Sequence, residues 1–381
     1  MSNRSIAAVV AARLPGSRRR RWTLFAAIVL VLLLAGSLLL VLNQAPAVRS
    51  TSQFVLATPE PDGVPVRLDT QLYLPASTPA PAILLAHGFG GSKADLAGQA
   101  QSLARAGYVV LAYSARGFGA SGGLIHLDSV KYEVADGSRL LDYLQARPEV
   151  ERVNGQPVFG VAGSSYGGAL ALMLGATDHR IGAVAADITW NNLGSALFPN
   201  AAGNQLGVFK KLWAGYLFSS GFSGSGSSGS GSSGSGSQAT GGSAAGSSGC
   251  GRFAPSLCAL YQRAASGGSL DAGVASLLAE SSPASVLAGM RAPTLLTQGE
   301  QDSLFGLGQA DANARQLAQA GAPVQVRWRS GGHDAPAAGD NVASWQRQFF
   351  DAKLRHRSGG QSGFLLSQPG AGISATNGRK V

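Results

Sequence analysis

The sequence has few charged residues. Asp, Glu, Lys and Arg make up 13% of its 381 residues, whereas hydrophobic residues make up 45%, so a large buried core is possible. Residues 1–50 contain no Asp or Glu, and their seven arginines carry most of the net charge of +10. The positive and negative charges of the rest of the chain nearly balance, which argues against nucleic-acid binding. The basic tail is better explained by membrane topology.

Residues 22–43 contain no charged residue at all. As a helix, the apolar run Trp22–Leu42 would measure about 32 Å, close to the thickness of a bilayer core. We therefore predict a basic cytoplasmic tail (1–21), one N-terminal transmembrane helix (22–43) and a body outside the cytoplasm, following the positive-inside rule. The alternative is a secreted protein, because Ala45–Ala47 resembles a signal-peptide cleavage site, although the run exceeds a typical signal core.

Cysteine is nearly absent. Cys250 and Cys258 lie in one segment, and outside the cytoplasm we expect them to form a disulfide, with two free buried thiols as the alternative. Two cysteines without clustered histidines make a poor zinc site. No nucleotide-binding motif is found either, so we predict no metal and no cofactor.

What the chain does contain is an alternation of short apolar strands and helices. After early antiparallel strands in Val64–Leu74, the first buried strand is predicted at Ala82–Ala86. The alternation predicts an α/β protein with a mostly parallel sheet covered by helices on both faces. We expect a core in two parts, residues 52–189 and 286–355, separated by an inserted cap at 190–285.

The cap has no acidic residue over most of its length and contains a segment with no large side chain. It has no Asp or Glu between Ile188 and Leu270, and Ser223–Ser237 consists only of Gly and Ser. With its flanks, the segment 219–249 predicts a disordered linker, or alternatively a mobile lid. Residues 356–381 show no periodicity and are predicted to be a flexible tail.

One sequence motif indicates a catalytic site. Gly163-Ser164-Ser165-Tyr166-Gly167 has the form G-x-S-x-G, follows a predicted strand and opens a helix of small residues. In the α/β-hydrolase fold this context places a nucleophilic serine on a strained turn, and the glycines allow close backbone approach. We therefore predict this fold, with Ser165 as the nucleophile.

A serine nucleophile needs a base, and in this fold an acid and then a histidine follow the serine along the chain. His87 and His126 precede Ser165. Of the rest, His179 lies just beyond the helix of small residues that follows Ser165, and His356 lies at the start of the C-terminal tail. His333 remains as the predicted base, since it follows the last predicted strand.

The predicted acid is Asp302, which follows the strand Thr294–Thr297, and Asp187 is the alternative. The transition state also needs two hydrogen-bond donors for its oxyanion. The backbone N–H groups of Phe89, in the loop His87–Gly91, and of Tyr166 are predicted to supply them.

At this point the sequence resembles the X-Pro dipeptidyl-peptidase (S15) family and the related CocE/NonD acyl hydrolases. Four segments carry the resemblance: the HGFGG loop at 87–91, the segment 115–123 (ARGFGASGG), Ser-Tyr-Gly-Gly at 165–168, and Gly299-x-x-Asp302 with Gly332-His333-Asp334. The resemblance implies a Ser165, Asp302 and His333 triad. Two features depart from it: Phe89 stands where members often have Tyr, and the chain ends too soon for the C-terminal β-sandwich that often follows.

The sequence leaves the substrate open between esters and peptides or amides. A dipeptidyl-peptidase must hold a free ammonium group, usually with a buried carboxylate. The cap segment from Ile188 to Leu270 supplies none, and the alternative is a carboxylate from outside that segment. We therefore favour a small acyl or ester substrate for a membrane-anchored serine hydrolase. The alternatives are an inactive hydrolase-fold binding or transport-accessory protein and an acyltransferase. The oligomeric state is not predicted.

Overall fold

The computed structural model describes residues 22–23, 25–33, 47–199, 207–223, 250–267, 272–334, 342–356, 363–366 and 374–375. It divides the chain into two units, Met1–Pro46 and Ala47–Val381. In the first unit the described residues are helical and their large apolar side chains are exposed.

None of the helices formed by described residues combines the length and apolarity needed to cross a bilayer. Residue 24 and residues 34–43 of the predicted span, and all of the predicted tail 1–21, lie outside the described residues. Most of the predicted linker, residues 224–249, also lies outside them. The prediction is wrong for residues 219–223, which form the end of a helix.

The described residues of the second unit form the strands β1 Arg49–Leu56, β2 Arg67–Leu74, β3 Ala82–Ala86, β4 Val109–Tyr113, β5 Arg152–Val153, β6 Gln156–Pro157, β7 Phe159–Ser164, β8 Ile181–Asp187, β9 Thr294–Gly299, β10 Val324–Arg329, β11 Gly363–Leu366 and β12 Ser374–Ala375. Ten of them form one sheet in the order β1-β2-β4-β3-β7-β8-β9-β10-β11-β12. The strands from β4 to β11 in that order are parallel, while β1, β2 and β12 pair antiparallel to their neighbours. A separate pair, β5 with β6, forms a small hairpin.

Helices cover both faces of this sheet and form the cap. They are α1 Ala97–Arg105, a π-helical turn Val130–Val134, α2 Ala135–Gln145, α3 Tyr166–Thr177, α4 Leu193–Leu197, α5 Lys211–Ser223, α6 Pro255–Gly267, α7 Ala272–Glu280, α8 Leu307–Gln319 and α9 Val342–Leu354, with two 3₁₀ turns at Pro283–Ser285 and Leu287–Gly289. One hydrophobic cluster includes side chains of α2, α3 and α8, and the second includes those of α1 and α9. The sheet therefore has a core on each face, as the strand pattern predicts.

The structure departs from the predicted elements in three further places. Strand β1 begins at Arg49 and pairs with β2 over its whole length, ahead of the predicted core. The amphipathic pattern of residues 128–146 predicts one helix, but helical residues begin only at Val130, because Leu127 and Asp128 have positive φ angles and the Ser129 hydroxyl accepts a hydrogen bond from the Lys131 N–H. Strands β11 and β12 lie in the predicted tail, where β11 pairs with the edge of β10.

The cap inserts between β8 and β9 and contains α4 to α7. It contacts the core loop at 117–125, where Ile125 bridges Phe253 and the Arg252 guanidinium donates to the carbonyls of Gly117 and Gly119. Cys250 and Cys258 form a disulfide with a Cα–Cα distance of 5.6 Å. This link closes the segment that leads into α6.

Candidate active site

Ser165 sits on a strained turn between β7 and α3. Its φ and ψ are 56° and −118°, a conformation that a residue with a side chain rarely adopts. Its N–H donates to the Asp187 carbonyl at 2.9 Å, and its carbonyl accepts from the Thr189 hydroxyl at 2.8 Å. These bonds hold the turn so that the Ser165 hydroxyl reaches the cavity above the sheet.

The two glycines of the motif are required by close backbone contacts. A Cβ added to Gly163 would lie 2.1 Å from the Gly167 carbonyl oxygen, and one added to Gly167 would lie 2.2 Å from the Ala86 carbonyl oxygen. Any side chain at either position would force β3, β7 and α3 apart. The spacing of the motif therefore follows from the backbone contacts that lift Ser165 above the sheet.

The structure brings the three residues predicted as a triad into one chain of hydrogen bonds. His333 Nε2 lies 2.7 Å from Ser165 Oγ, and His333 Nδ1 lies 2.7 Å from Asp302 Oδ2. With the proton placed on Nδ1, that N–H donates to the carboxylate and Nε2 accepts from the hydroxyl. This is the arrangement that lets an imidazole remove the proton of a serine.

Asp302 is held by its own loop. Its side chain is fully buried, and Oδ1 accepts from the N–H groups of Leu304 at 3.0 Å and Phe305 at 2.7 Å. The following helix α8 has Gly306 as its N-cap, so Asp302 does not cap that helix. These bonds leave Oδ2 directed at His333.

Asp187, the alternative acid, has other partners. Its carboxylate accepts from the hydroxyls of Thr297 at 2.6 Å and Ser164 at 3.1 Å, and it pairs with Arg329 at 3.3 Å. Asp302 is therefore the carboxylate that contacts His333, and Asp187 ties β8 to β9 and β10.

Two more glycines allow the loops of the acid and the histidine to interlock. A Cβ on Gly299 would lie 2.2 Å from the Gly331 carbonyl oxygen, and one on Gly332 would lie 2.4 Å from Asp302 Cα. The loops after β9 and β10 therefore touch through their backbones, and this contact sets the distance from His333 to Asp302.

A bridge between these loops and the cap was not predicted from the sequence. The Ser303 hydroxyl donates to Asp334 Oδ2 at 2.6 Å, and this bond lowers the pKa of Asp334. Trp213 of α5 in turn donates its indole N–H to Ser303 Oγ at 3.0 Å, and its ring lies 6.0 Å from that of His333. We call Trp213, Ser303 and Asp334 the Ser303 bridge. It joins the cap to the loop of Asp302 and to the loop of His333.

Phe89 and Tyr166 both line the cavity at Ser165. Tyr166 begins α3 immediately after Ser165, while Phe89 lies in the loop after β3, with the two rings edge to face at 5.3 Å. The Tyr166 hydroxyl accepts from the Asp128 N–H at 3.1 Å, which fixes its ring. That their backbone N–H groups bind an oxyanion stays a prediction.

His87 has a structural role in the same loop. Its Nδ1–H donates to the Gly88 carbonyl at 2.7 Å, and Nε2 accepts from the Ala115 N–H at 2.9 Å. Complete burial lowers the pKa of His87, which keeps the ring neutral in these bonds. It therefore braces the loop of Phe89 against the loop that follows β4.

A buried ionic cluster lies behind Tyr166. Arg116 donates two hydrogen bonds to Asp136, at 2.7 and 2.8 Å, and a third to the Thr58 carbonyl at 2.7 Å. Burial raises the pKa of Glu133 to about 7 and that of Asp128 well above its usual range. Arg116 of the 115–123 segment thus holds this loop to the core.

The cavity that contains the Ser165 hydroxyl has a volume of about 110 Å³. Its wall comes from the core loops on one side and from α4 to α7 of the cap on the other. The lining residues are Phe89, Leu127, Ser165, Tyr166, Trp190, Leu193, Leu197, Phe198, Phe209, Ala214, Leu217, Phe218, Phe253, Leu257, Leu260, Tyr261, Ala264, Val274, Leu277, Leu278, Leu304 and Phe305. No group of His, Cys, Asp and Glu side chains suited to a metal ion occurs among the described residues.

Comparison with known families decides the assignment. A model of the X-Pro dipeptidyl-peptidase (S15) family matches residues 62–334, a range that contains Ser165, Asp302 and His333. The chain belongs to the S15 family. Membership supports a serine hydrolase, either a peptidase or an esterase. No curated protein sequence gives a match.

Solved structures support the α/β-hydrolase fold of this S15 member. An acylaminoacyl peptidase of Pyrococcus horikoshii aligns with 84% of this chain and 44% of its own, at 15% identity and a TM-score of 0.54. A putative dipeptidyl aminopeptidase IV of Bacteroides ovatus aligns with 81% of this chain and 36% of its own, at 13% identity and a TM-score of 0.50. A 2,6-dihydroxy-pseudo-oxynicotine hydrolase aligns with 82% of this chain and 69% of its own, at 14% identity and a TM-score of 0.51.

At these identities the likeness shows the fold alone. The chain spans less than half the length of the first two structures, so their activities are not transferred to it.

Proposed function

We propose that Ser165, His333 and Asp302 are the catalytic triad of a hydrolase that works through an acyl-enzyme. The observation that carries the proposal is the continuous chain of two 2.7 Å hydrogen bonds from Ser165 Oγ through His333 to Asp302. The three residues come from loops after β7, β9 and β10. In open α/β sheets, catalytic groups gather at the carboxyl ends of the strands.

The reaction follows from that geometry. Ser165 Oγ attacks the substrate carbonyl carbon while His333 Nε2 takes the hydroxyl proton, and the oxyanion binds the N–H groups of Phe89 and Tyr166. The tetrahedral intermediate collapses, the bond to the leaving group breaks, and His333 protonates that group. Water then attacks the acyl-enzyme with His333 as base, which releases the acid and restores Ser165. Asp302 remains ionised and stabilises the imidazolium.

Labelling with a fluorophosphonate probe tests this assignment. We expect the full-length protein to be labelled and Ser165→Ala to lose all labelling. Ser164→Ala is the matched control, because Ser164 Oγ bonds Asp187 and not His333, so this variant should remain labelled. A wild-type protein that folds but does not label would support the inactive binding-protein alternative.

We further propose that the hydrolase is anchored by residues 22–43 with its body outside the cytoplasm. The support is the uncharged apolar run behind four arginines and the disulfide, which suits an oxidising compartment. Protein that stays in the membrane fraction after carbonate extraction with an intact N-terminus would fit an anchor. A soluble form beginning after residue 47 would show cleavage of a signal peptide instead.

A further inference from the structure

The cavity at Ser165 continues into the cap, and its wall is apolar. No Asp, Glu, Lys, Arg or His is among the described residues that line it. Two of its polar atoms already have partners: the Trp190 indole N–H donates to the Ser281 carbonyl at 2.9 Å, and the Tyr166 hydroxyl accepts from the Asp128 N–H. The wall therefore offers a ligand mainly van der Waals and hydrophobic contacts.

The interior of the cap forms much of this space. Buried or half-buried side chains of α4, α5, α6 and α7 face the cavity, among them Leu193, Leu217, Leu260 and Leu278. Ser165 lines the same space, so a substrate whose carbonyl lies at Ser165 can place an apolar chain among these helices. Burying such a chain is favoured roughly in proportion to the surface removed from water.

The same wall is unsuited to a free amino terminus. An ammonium group taken into it would lose its hydration without gaining a carboxylate partner, which is strongly unfavourable. The cap has no Asp or Glu from Ile188 to Leu270. Asp128 and Glu133 lie near Tyr166 but do not line the cavity, so neither carboxyl is available to a group bound there. This conflicts with a dipeptidyl substrate, which carries such a terminus.

Resting on the proposed function, we infer that the substrate is a carboxylic ester with a hydrophobic acyl group, and that the cap cavity binds the acyl chain. Two small buried residues of the wall, Ala214 on α5 and Ala264 on α6, leave room for that chain. Ala264 is the sharper specificity-determining position, since it is only 3% exposed.

Steady-state kinetics on full-length protein with p-nitrophenyl esters from acetate to dodecanoate test this inference. We expect kcat/KM to rise roughly threefold to fourfold per methylene until the chain fills the cavity. Turnover of Ala-Pro-p-nitroanilide should be slower than that of the best ester. A flat response to chain length, or faster turnover of the anilide, would overturn the inference.

Variants of the cavity wall test where the acyl chain binds. Ala264→Leu should shift the optimum to shorter esters, whereas Ala279→Leu, the same change at an exposed position of α7, should leave it in place. If Ala264→Leu does not fold, Leu260→Ala gives the opposite test, because the enlarged cavity should shift the optimum to longer esters. An optimum that moves with neither cavity variant contradicts the assignment.

Fluorophosphonate labelling separates the two proposals. A protein labelled at Ser165 that shows no dependence on acyl length refutes the acyl cavity and leaves the triad intact. A folded protein that is not labelled at Ser165 refutes the triad first.

Discussion

The two walls of the cavity at Ser165 are built by different means. On the core wall, an added Cβ would come within 2.1–2.4 Å of backbone atoms at Gly163, Gly167, Gly299 and Gly332. On the cap side, an added Cβ at Gly194 or Gly215 would come no closer than 3.1 and 3.6 Å. The core wall is thus fixed by backbone contact, whereas the cap wall is shaped by the volumes of apolar side chains.

This difference separates reactivity from selectivity. Backbone contacts hold the hydroxyl, the imidazole and the carboxylate in one geometry, so changes there should lower the rate for every substrate. Changes in the cap wall should alter which acyl group is preferred.

Asp302→Asn should have the largest effect. The amide cannot hold the Nδ1–H tautomer of His333 or stabilise the imidazolium, so kcat/KM should fall about 10³–10⁴-fold. The fall should be the same for acetate and octanoate esters, measured by steady-state kinetics. A loss below tenfold, or one confined to one chain length, would show that Asp302 does not serve the chemistry.

Gly163→Ala should destabilise the fold by about 3 kcal/mol or more, because its Cβ would meet the Gly167 backbone. Gly98→Ala is the matched control. Gly98 lies in α1 with nothing within 4 Å of an added Cβ, so the same change should stabilise by about 0.5–1 kcal/mol. Urea denaturation measures both, and equal effects at the two positions would contradict the steric account.

Glu133→Gln tests the buried cluster behind the core wall. The folded-state pKa of Glu133 is raised from 4.5 to about 7, so the folded protein holds its proton more tightly than the unfolded chain. The stability that this proton contributes is present below pH 4.5 and is lost as pH rises to 7, by roughly 3 kcal/mol. The variant should therefore gain stability relative to wild type over that range. A difference in unfolding free energy that does not change with pH would contradict the shift.

Ser303→Ala should have the smallest effect. It removes the hydroxyl's hydrogen bonds to Asp334 and from Trp213. The Ser303 N–H still donates to Asp334, and Asp302 and its N–H donors stay in place. We expect kcat to fall about tenfold with KM little changed, since His333 is less firmly positioned. Ser303→Thr keeps a hydroxyl and should restore most of the rate. A change in KM alone would assign the Ser303 bridge to substrate binding.

The parts of the fold that the sequence predicts are those with local signals. Strand β3 has the predicted bounds, because a short run buried on both faces is apolar throughout. The G-x-S-x-G spacing indicates Ser165, because Gly163 and Gly167 make the close backbone contacts of this turn. His333 followed by elimination among five histidines, and its loop glycines were visible beside it.

The Ser303 bridge could not be predicted in this way. Trp213 and Ser303 are 90 residues apart, and they meet only because α5 of the cap packs over the loop after β9. Arg116 is similar: its partners Asp136 and Thr58 come from separate elements, so the sequence shows the motif without the contacts that explain it. The late start of α2 depends on positive φ angles at Leu127 and Asp128, which neither residue type suggests.

The central claim is that one hydroxyl among neighbouring serines is reactive. Mass spectrometry of peptides from protein treated with diisopropyl fluorophosphate identifies that hydroxyl directly. We predict a single phosphoryl adduct on Ser165, formed in parallel with loss of esterase activity. An adduct on Ser164 or elsewhere, or complete inactivation with Ser165 unmodified, would contradict the account.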